Sequence, residues 1–167
     1  MSGIIETVDN GVDMENLELD SVQVLSHIIK KMIDYGYLIN YTKVQKVLYC
    51  CYGVVLATYN KRLCKEHPKA WSFGPAFPRA YNAHKKNKYN LSDDPISSDD
   101  FPEDIRTDID DTIKYFGQFK ASSLVNWSHQ VNSPWFISTN NGKELYTNIN
   151  DDLIKFYFRD QVIANEV

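Results

Sequence analysis

Cysteine is scarce in this chain of 167 residues, with three in all, and none belongs to a Cys-x-x-Cys pair. Cys50 and Cys51 are adjacent within a helical pattern and point to different sides of it, and Cys64 is the odd third. A disulfide framework is therefore not expected; small buried thiols in a reducing compartment are. Long apolar runs are also missing. Nothing approaches the roughly 18 residues that a membrane span needs, so no membrane partner is expected. Residues 1–20 are acidic and lack the basic start and apolar core of a secretory signal, which points to the cytoplasm. The seven glycines are scattered and build no phosphate-binding loop. No His-Glu-x-x-His occurs. Cys64 and His67 have the spacing of half a zinc site, but no second pair stands at ligand distance in the sequence. Ser128, His129 and Ser133 are the right residue types for nucleophilic chemistry, yet adjacency along the chain does not supply triad geometry. The expectation is a non-enzyme with no cofactor and no metal.

What is present is a globular composition, 43% hydrophobic and 13% aromatic, with eleven Tyr and eight Phe supplying much of the apolar volume. The length suits one domain, 21–167, preceded by a flexible acidic leader, 1–20. Net charge is −4 and uneven. The leader carries Glu6, Asp9, Asp13, Glu15, Glu18 and Asp20 with no Lys or Arg. The stretch 61–88 is basic, with Lys61, Arg62, Lys65, Lys69, Arg79, Lys85, Lys86 and Lys88 against Glu66 alone. Trp71, Phe73, Phe77, Tyr81 and Tyr89 interleave it, the mixture found in single-strand nucleic-acid binders. The acidic whole, and the need for aromatic anchors in the core, favour a core role for Trp71 and Tyr81.

Helical periodicity dominates. Asp20 or Ser21 caps a first helix whose stripe is Val24, Leu25, Ile28, Ile29 and Met32, with Gly36 as its stop. Asn40 or Thr42 starts a second, running to Tyr59, with Val44, Val47, Leu48, Cys51 and Val55 on its apolar face and Lys43, Lys46 and Cys50 on other sides. Pro68, Gly74, Pro75 and Pro78 exclude a continuous helix over 61–78. Pro78 opens a third helix to Lys85. A polar loop follows over 86–101. Pro102 then opens a helix with the stripe Ile105, Ile109, Thr112, Ile113 and Phe116. Ser122 caps a short helix to His129, which Ser133-Pro134 stops. Asn150 caps the last, with Leu153, Ile154, Tyr157 and Phe158 inward. The expected fold is mainly α: an irregular compact bundle of about six short helices that must pack on each other, with a short β-hairpin around 61–78.

Three stretches stand in register: Thr42-Lys43-Val44-Gln45-Lys46-Val47-Leu48-Tyr49, Ala70-Trp71-Ser72-Phe73-Gly74-Pro75-Ala76-Phe77-Pro78-Arg79-Ala80-Tyr81, and Ser128-His129-Gln130-Val131-Asn132-Ser133-Pro134-Trp135. Together they resemble the Panacea domain family, the SocA-like or phage-associated GepA-type antitoxins. The family pattern is close to T-x-L-K-L-Q-K-L-L-Y-Y, A-W-x-x-G-P-V-x-P-x-x-Y and T-H-x-x-x-P-W. Val44 and Val47 replace its usual Leu positions, Cys50 stands where an aromatic is common, Ser128 replaces Thr, and the gap before Pro134 is longer.

The resemblance implies an antitoxin, often prophage-encoded, that neutralises a protein toxin encoded nearby. It implies either direct binding or, as in SocA-like members, delivery of the toxin to a ClpXP-type protease. The alternative is a phage protein that blocks a host defence protein with the same fold. No cofactor or catalytic role is implied. The motif residues divide into two expectations. Thr42, Lys43, Gln45, Trp71, Gly74, Pro75, His129, Pro134 and Trp135 read as scaffold, with Lys43 and Gln45 donating to carbonyls of the Gly74-Pro75 turn and His129 and Trp135 bracing the same region. Lys46, Tyr49, Phe73, Phe77, Arg79 and Tyr81 read as a partner groove, since aromatics and Arg are what interface hot spots favour.

Overall fold

The computed structural model describes residues 17–87 and 101–164. Its elements are α1 (Ser21–Asp34), α2 (Tyr41–Tyr59), β1 (Lys69–Trp71), β2 (Gly74–Ala76), α3 (Pro78–Asn87), α4 (Glu103–Phe116), α5 (Ala121–Ser128), α6 (Pro134–Ser138) and α7 (Asp151–Tyr157), which passes into a π-helical stretch, Phe158–Ile163. The fold is mainly α, with seven helices among the described residues and one small antiparallel hairpin. None of these helices is long and apolar enough to cross a membrane.

The one-sided helices follow their stripes. α1 buries Ser21, Val24, Leu25, Ile28, Ile29 and Met32, and α4 buries Ile105, Ile109, Thr112, Ile113 and Phe116. Fully burying one such aliphatic side chain contributes about 1.5–3 kcal/mol, which outweighs the intrinsic propensity of so short a helix. The caps do local work. Asp20 accepts from the Val22 N–H at 3.0 Å, Asn40 from Lys43 N–H at 2.8 Å, and Asn150 from Asp152 N–H at 2.7 Å. Each satisfies an amide that the helix itself leaves unpaired.

α2 departs from the expectation of a single apolar face. Every residue from Lys43 to Leu56 is buried, Lys46 and Cys50 included. α1, α3, α4, α5, β2, α7 and the π-helical stretch all pack on it. A helix wrapped on all sides has no solvent face, so its 3.6-residue period carries no contrast. Gly53 is where the wrapping is closest: a Cβ there would stand 2.4 Å from the Phe158 ring.

Two boundaries differ from the sequence reading. α5 begins at Ala121 after Lys120, with no side-chain cap from Ser122. Ser133-Pro134 does more than stop α5; Ser133 accepts from the Phe136 N–H at 3.1 Å, and Pro134 is the first residue of α6. The leader is described from Leu17 onward, and residues 1–16 lie outside the described residues, as do 88–100 of the polar loop. The described part is fastened. Leu17 N–H donates to Arg62 O at 3.0 Å, Leu19 N–H to Leu63 O at 3.2 Å, and Lys65 N–H to Leu19 O at 3.0 Å. Phe101, at the other end of the loop, is buried against His27.

The hairpin pairs Lys69 with Ala76, Ala70 with Pro75 and Trp71 with Gly74 around a two-residue Ser72-Phe73 turn. Its outer edge is covered. Ala70 N–H donates to Thr147 O at 2.9 Å and Tyr146 N–H to Ala70 O at 2.7 Å. An isolated hairpin of this length is marginal in water, so its persistence here rests on what it is tied to.

Candidate functional site

Three of the hairpin's braces are side chains that reach its backbone carbonyls from other elements. Lys46, from the middle of α2, donates from Nζ to the Pro75 carbonyl at 2.8 Å. His129, at the end of α5, has Nε2 at 2.9 Å from the Ser72 carbonyl and Nδ1 at 2.6 Å from that of Val125. Trp135, in α6, donates from Nε1 to the Trp71 carbonyl at 2.8 Å. A fourth brace runs the other way: Gln45 accepts the Phe77 N–H at 2.7 Å. The three stretches in register thus meet at one hairpin. Its geometry requires Gly74, which has φ of 111°, and a Cβ there would come within 2.5 Å of Lys46 Cε and 2.6 Å of Ser128 Oγ.

The expected donors differ in detail. Lys46, one turn beyond Lys43, reaches the Gly74-Pro75 segment, whereas the Lys43 ammonium lies 5.8 Å from the centre of the Tyr37 ring. Gln45 acts as acceptor and not donor. Thr42 is half-buried in the first turn of α2, and Asn40 is the cap. Pro134 is buried as the first residue of α6. Lys46 is wholly buried, and burial pulls its ammonium down to about 7. Its partners are one carbonyl and the Phe73 ring face at 4.8 Å. An amine with so little polar company is held near the point where it gives up its proton.

The six residues read as a partner groove do not share a surface. Lys46, Tyr49 and Phe77 are buried; Tyr49 packs on Phe158 with ring centres 5.4 Å apart, and Phe77 on Tyr52 at 5.5 Å. Arg79 is exposed, and its guanidinium takes both oxygens of Asp20, at 3.2 and 3.0 Å. That pairing holds the Asp20 carboxyl below its ordinary range. Phe73 and Tyr81 are half-buried and do come together. With Trp71 and Tyr41 they form a continuous aromatic cluster: Trp71–Phe73 at 5.5 Å, Trp71–Tyr81 at 5.1 Å and Tyr41–Tyr81 at 6.3 Å. Trp71 and Tyr81, expected as core anchors, are only partly buried. Lys85 lies 5.2 Å from the Tyr41 ring centre and 6.0 Å from that of Tyr81.

The residues of the catalytic and metal readings have other partners. Ser128 Oγ donates to Val125 O at 2.8 Å, and Ser133 Oγ to Ser128 O at 2.9 Å, so both hydroxyls serve the backbone. Cys64 is buried, and burial pushes its thiol up, while His67 turns toward Asp151 at 3.7 Å. Among the described residues no group of three or more His, Cys, Asp and Glu is placed to hold a metal ion.

Two features had no legible signal in the sequence. Glu66 caps α3 from twelve residues before Pro78 opens it, accepting from Arg79 N–H at 2.5 Å and Ala80 N–H at 3.3 Å, and from Ser21 Oγ at 2.6 Å. A cleft of about 400 Å³ lies between the α5–α6 turn and α7, lined by Val131, Ile137, Leu153, Phe156 and Tyr157.

The family model for the antitoxin SocA-like, Panacea domain matches residues 44–136, more than half of the chain. That span holds α2 from Val44, the hairpin, α3, α4, α5 and the start of α6, and so all four braces. Comparison with curated proteins and with solved structures gives no match. The chain belongs to the SocA-like antitoxin family, and the braced hairpin lies within its Panacea domain.

Proposed function

We propose that this protein neutralises a toxin encoded beside it by binding that toxin directly in the cytoplasm, using the aromatic surface carried by the hairpin and α3. The observation that carries the reading is the division of labour at the hairpin. Lys46, Gln45, His129 and Trp135 direct their polar groups inward to its backbone. Trp71, Phe73, Tyr81 and Tyr41 are left partly uncovered. A surface fixed before binding has less conformational freedom to lose when a partner docks. Large, stiff aromatic side chains are also what interface hot spots favour.

The test is co-expression with the product of the adjacent gene. That product should arrest growth alone, be harmless beside this chain, and co-purify with it. A neighbour that is harmless alone and forms no complex overturns the reading. The same cells separate the two routes: sequestration leaves toxin levels unchanged, whereas delivery to a ClpXP-type protease makes them fall only while that protease is present.

A further inference from the structure

The aromatic surface carries a charge pattern that selects among protein partners. α3 has the sequence PRAYNAHKKN, without a single Asp or Glu. Asp20 and Glu66 lie at its N-terminal end, where they are engaged by Arg79 and by the first amides of α3. At the other end Lys85 and Lys86 are exposed, and among the described residues neither is in an ion pair. Lys85 leans over Tyr41 and Tyr81, and the amine of Lys46 lies beneath Phe73. The result is a patch of rings with the exposed ammonium of Lys85 beside it and Lys86 next along α3, neither in an ion pair among the described residues.

We infer that this patch recognises a carboxylate-bearing polypeptide segment with an aromatic or aliphatic anchor, the anchor resting on Trp71, Phe73 and Tyr81 and the carboxylates meeting Lys85 and Lys86. The partner's being a protein rests on the antitoxin reading; its acidity rests on the patch itself. Opposed charge steers encounter and fixes register, and the rings supply the buried area. The ring geometry disfavours a nucleic-acid strand. Trp71 meets Phe73 at 83° and Tyr81 at 79°, so edges cover faces that stacked bases would need.

The probe is a short fluorescent peptide alternating Glu with Phe, titrated with the full chain by anisotropy. Its Lys-for-Glu counterpart and labelled oligothymidylate are the comparison arms. The acidic peptide should bind, should weaken as salt rises, and should weaken about tenfold with Lys85→Glu and Lys86→Glu together. Both lysines are exposed, so the doubly substituted chain keeps its fold, which circular dichroism checks. Equal binding of the basic peptide, tighter binding of oligothymidylate, or indifference to the double substitution overturns the inference. The toxin complex gives an independent reading. If the double variant binds toxin as the parent does, the acidic-segment inference falls and the antitoxin reading stands. If the peptide binds as expected but the parent captures no toxin, the antitoxin reading falls and the specificity of the patch stands.

Discussion

Two parts of the surface show apolar side chains to solvent, and they are built differently. In the cleft beside α7, Val131 is 70% exposed, Phe156 50% and Ile137 49%. Each of these three is fractionally more exposed than any ring of the hairpin patch, all of which are partly covered. Beneath the hairpin, however, lie a buried lysine, a glutamine, a histidine and a tryptophan, each hydrogen-bonded to its backbone. The cleft is lined by the polar side chains of Gln130, Asn132, Asp160 and Gln161 at its rim. Exposed area by itself does not single out a binding surface, since apolar atoms contribute much of any protein's surface. Fixed geometry separates the hairpin patch from the cleft.

The contrast breaks most readily at Gly74. Gly74→Ala places a side chain at φ of 111° and drives a Cβ into Lys46 and Ser128. It should cost about 3 kcal/mol, through backbone strain and overpacking together. Urea unfolding measures it, and toxin binding should fall in step.

Next in size is the effect of pH through Lys46. An unfolded lysine titrates at 10.5, and burial brings this one to about 7 in the folded chain. Between those values the unfolded chain binds a proton that the folded chain does not. Stability therefore rises with pH from about 7 upward, and below that the cost of the buried ammonium is complete. The buried thiols, pushed above their ordinary 9.0, act in the opposite sense at higher pH. The clean comparison is thus parent against Lys46→Met between pH ~7 and ~9, where the parent should gain about 2 kcal/mol that the variant does not.

Trp135→Phe keeps a ring in place but removes the Nε1 donor, leaving the Trp71 carbonyl without it. A loss of about 1–2 kcal/mol is expected, with faster amide exchange confined to the hairpin. The smallest effect belongs to the cleft. Phe156→Ser removes a half-exposed ring and should change stability by no more than about 0.5 kcal/mol, with toxin affinity unchanged. A larger loss of affinity from Phe156→Ser than from Lys85→Glu with Lys86→Glu would reverse the assignment of the two surfaces.

Legibility followed the locality of the physics. α1 and α4 were readable because each has one wet and one dry face, so burial repeats along the chain. Asn40 and Asn150 were readable because a cap acts on amides two or three residues away. α6 was missed because Ser-Pro both ends one helix and begins another, and the local residues do not say which. The all-round burial of α2 was missed for a different reason: the elements that cover Lys46 and Cys50 come from far along the chain. The braces on the hairpin were half legible. His129 and Trp135 were placed near it by the register of the three stretches, but the choice of Lys46 over Lys43 depends on where the hairpin crosses α2.

By itself the sequence determined the helical class, the hairpin, the caps of α1, α2 and α7, and the family, because these rest on periods, short-range hydrogen bonds and motif order. Tertiary structure alone decided which motif residues face inward. Lys46, Tyr49 and Phe77 carry side chains suited to a surface, and all three are buried. Phe73, Tyr81 and Lys85 reach the same patch only because Glu66 and Asp20 hold the start of α3 and four distant side chains hold the hairpin beside it. Such placement is a sum of contacts between residues far apart in the chain, and no local pattern encodes it.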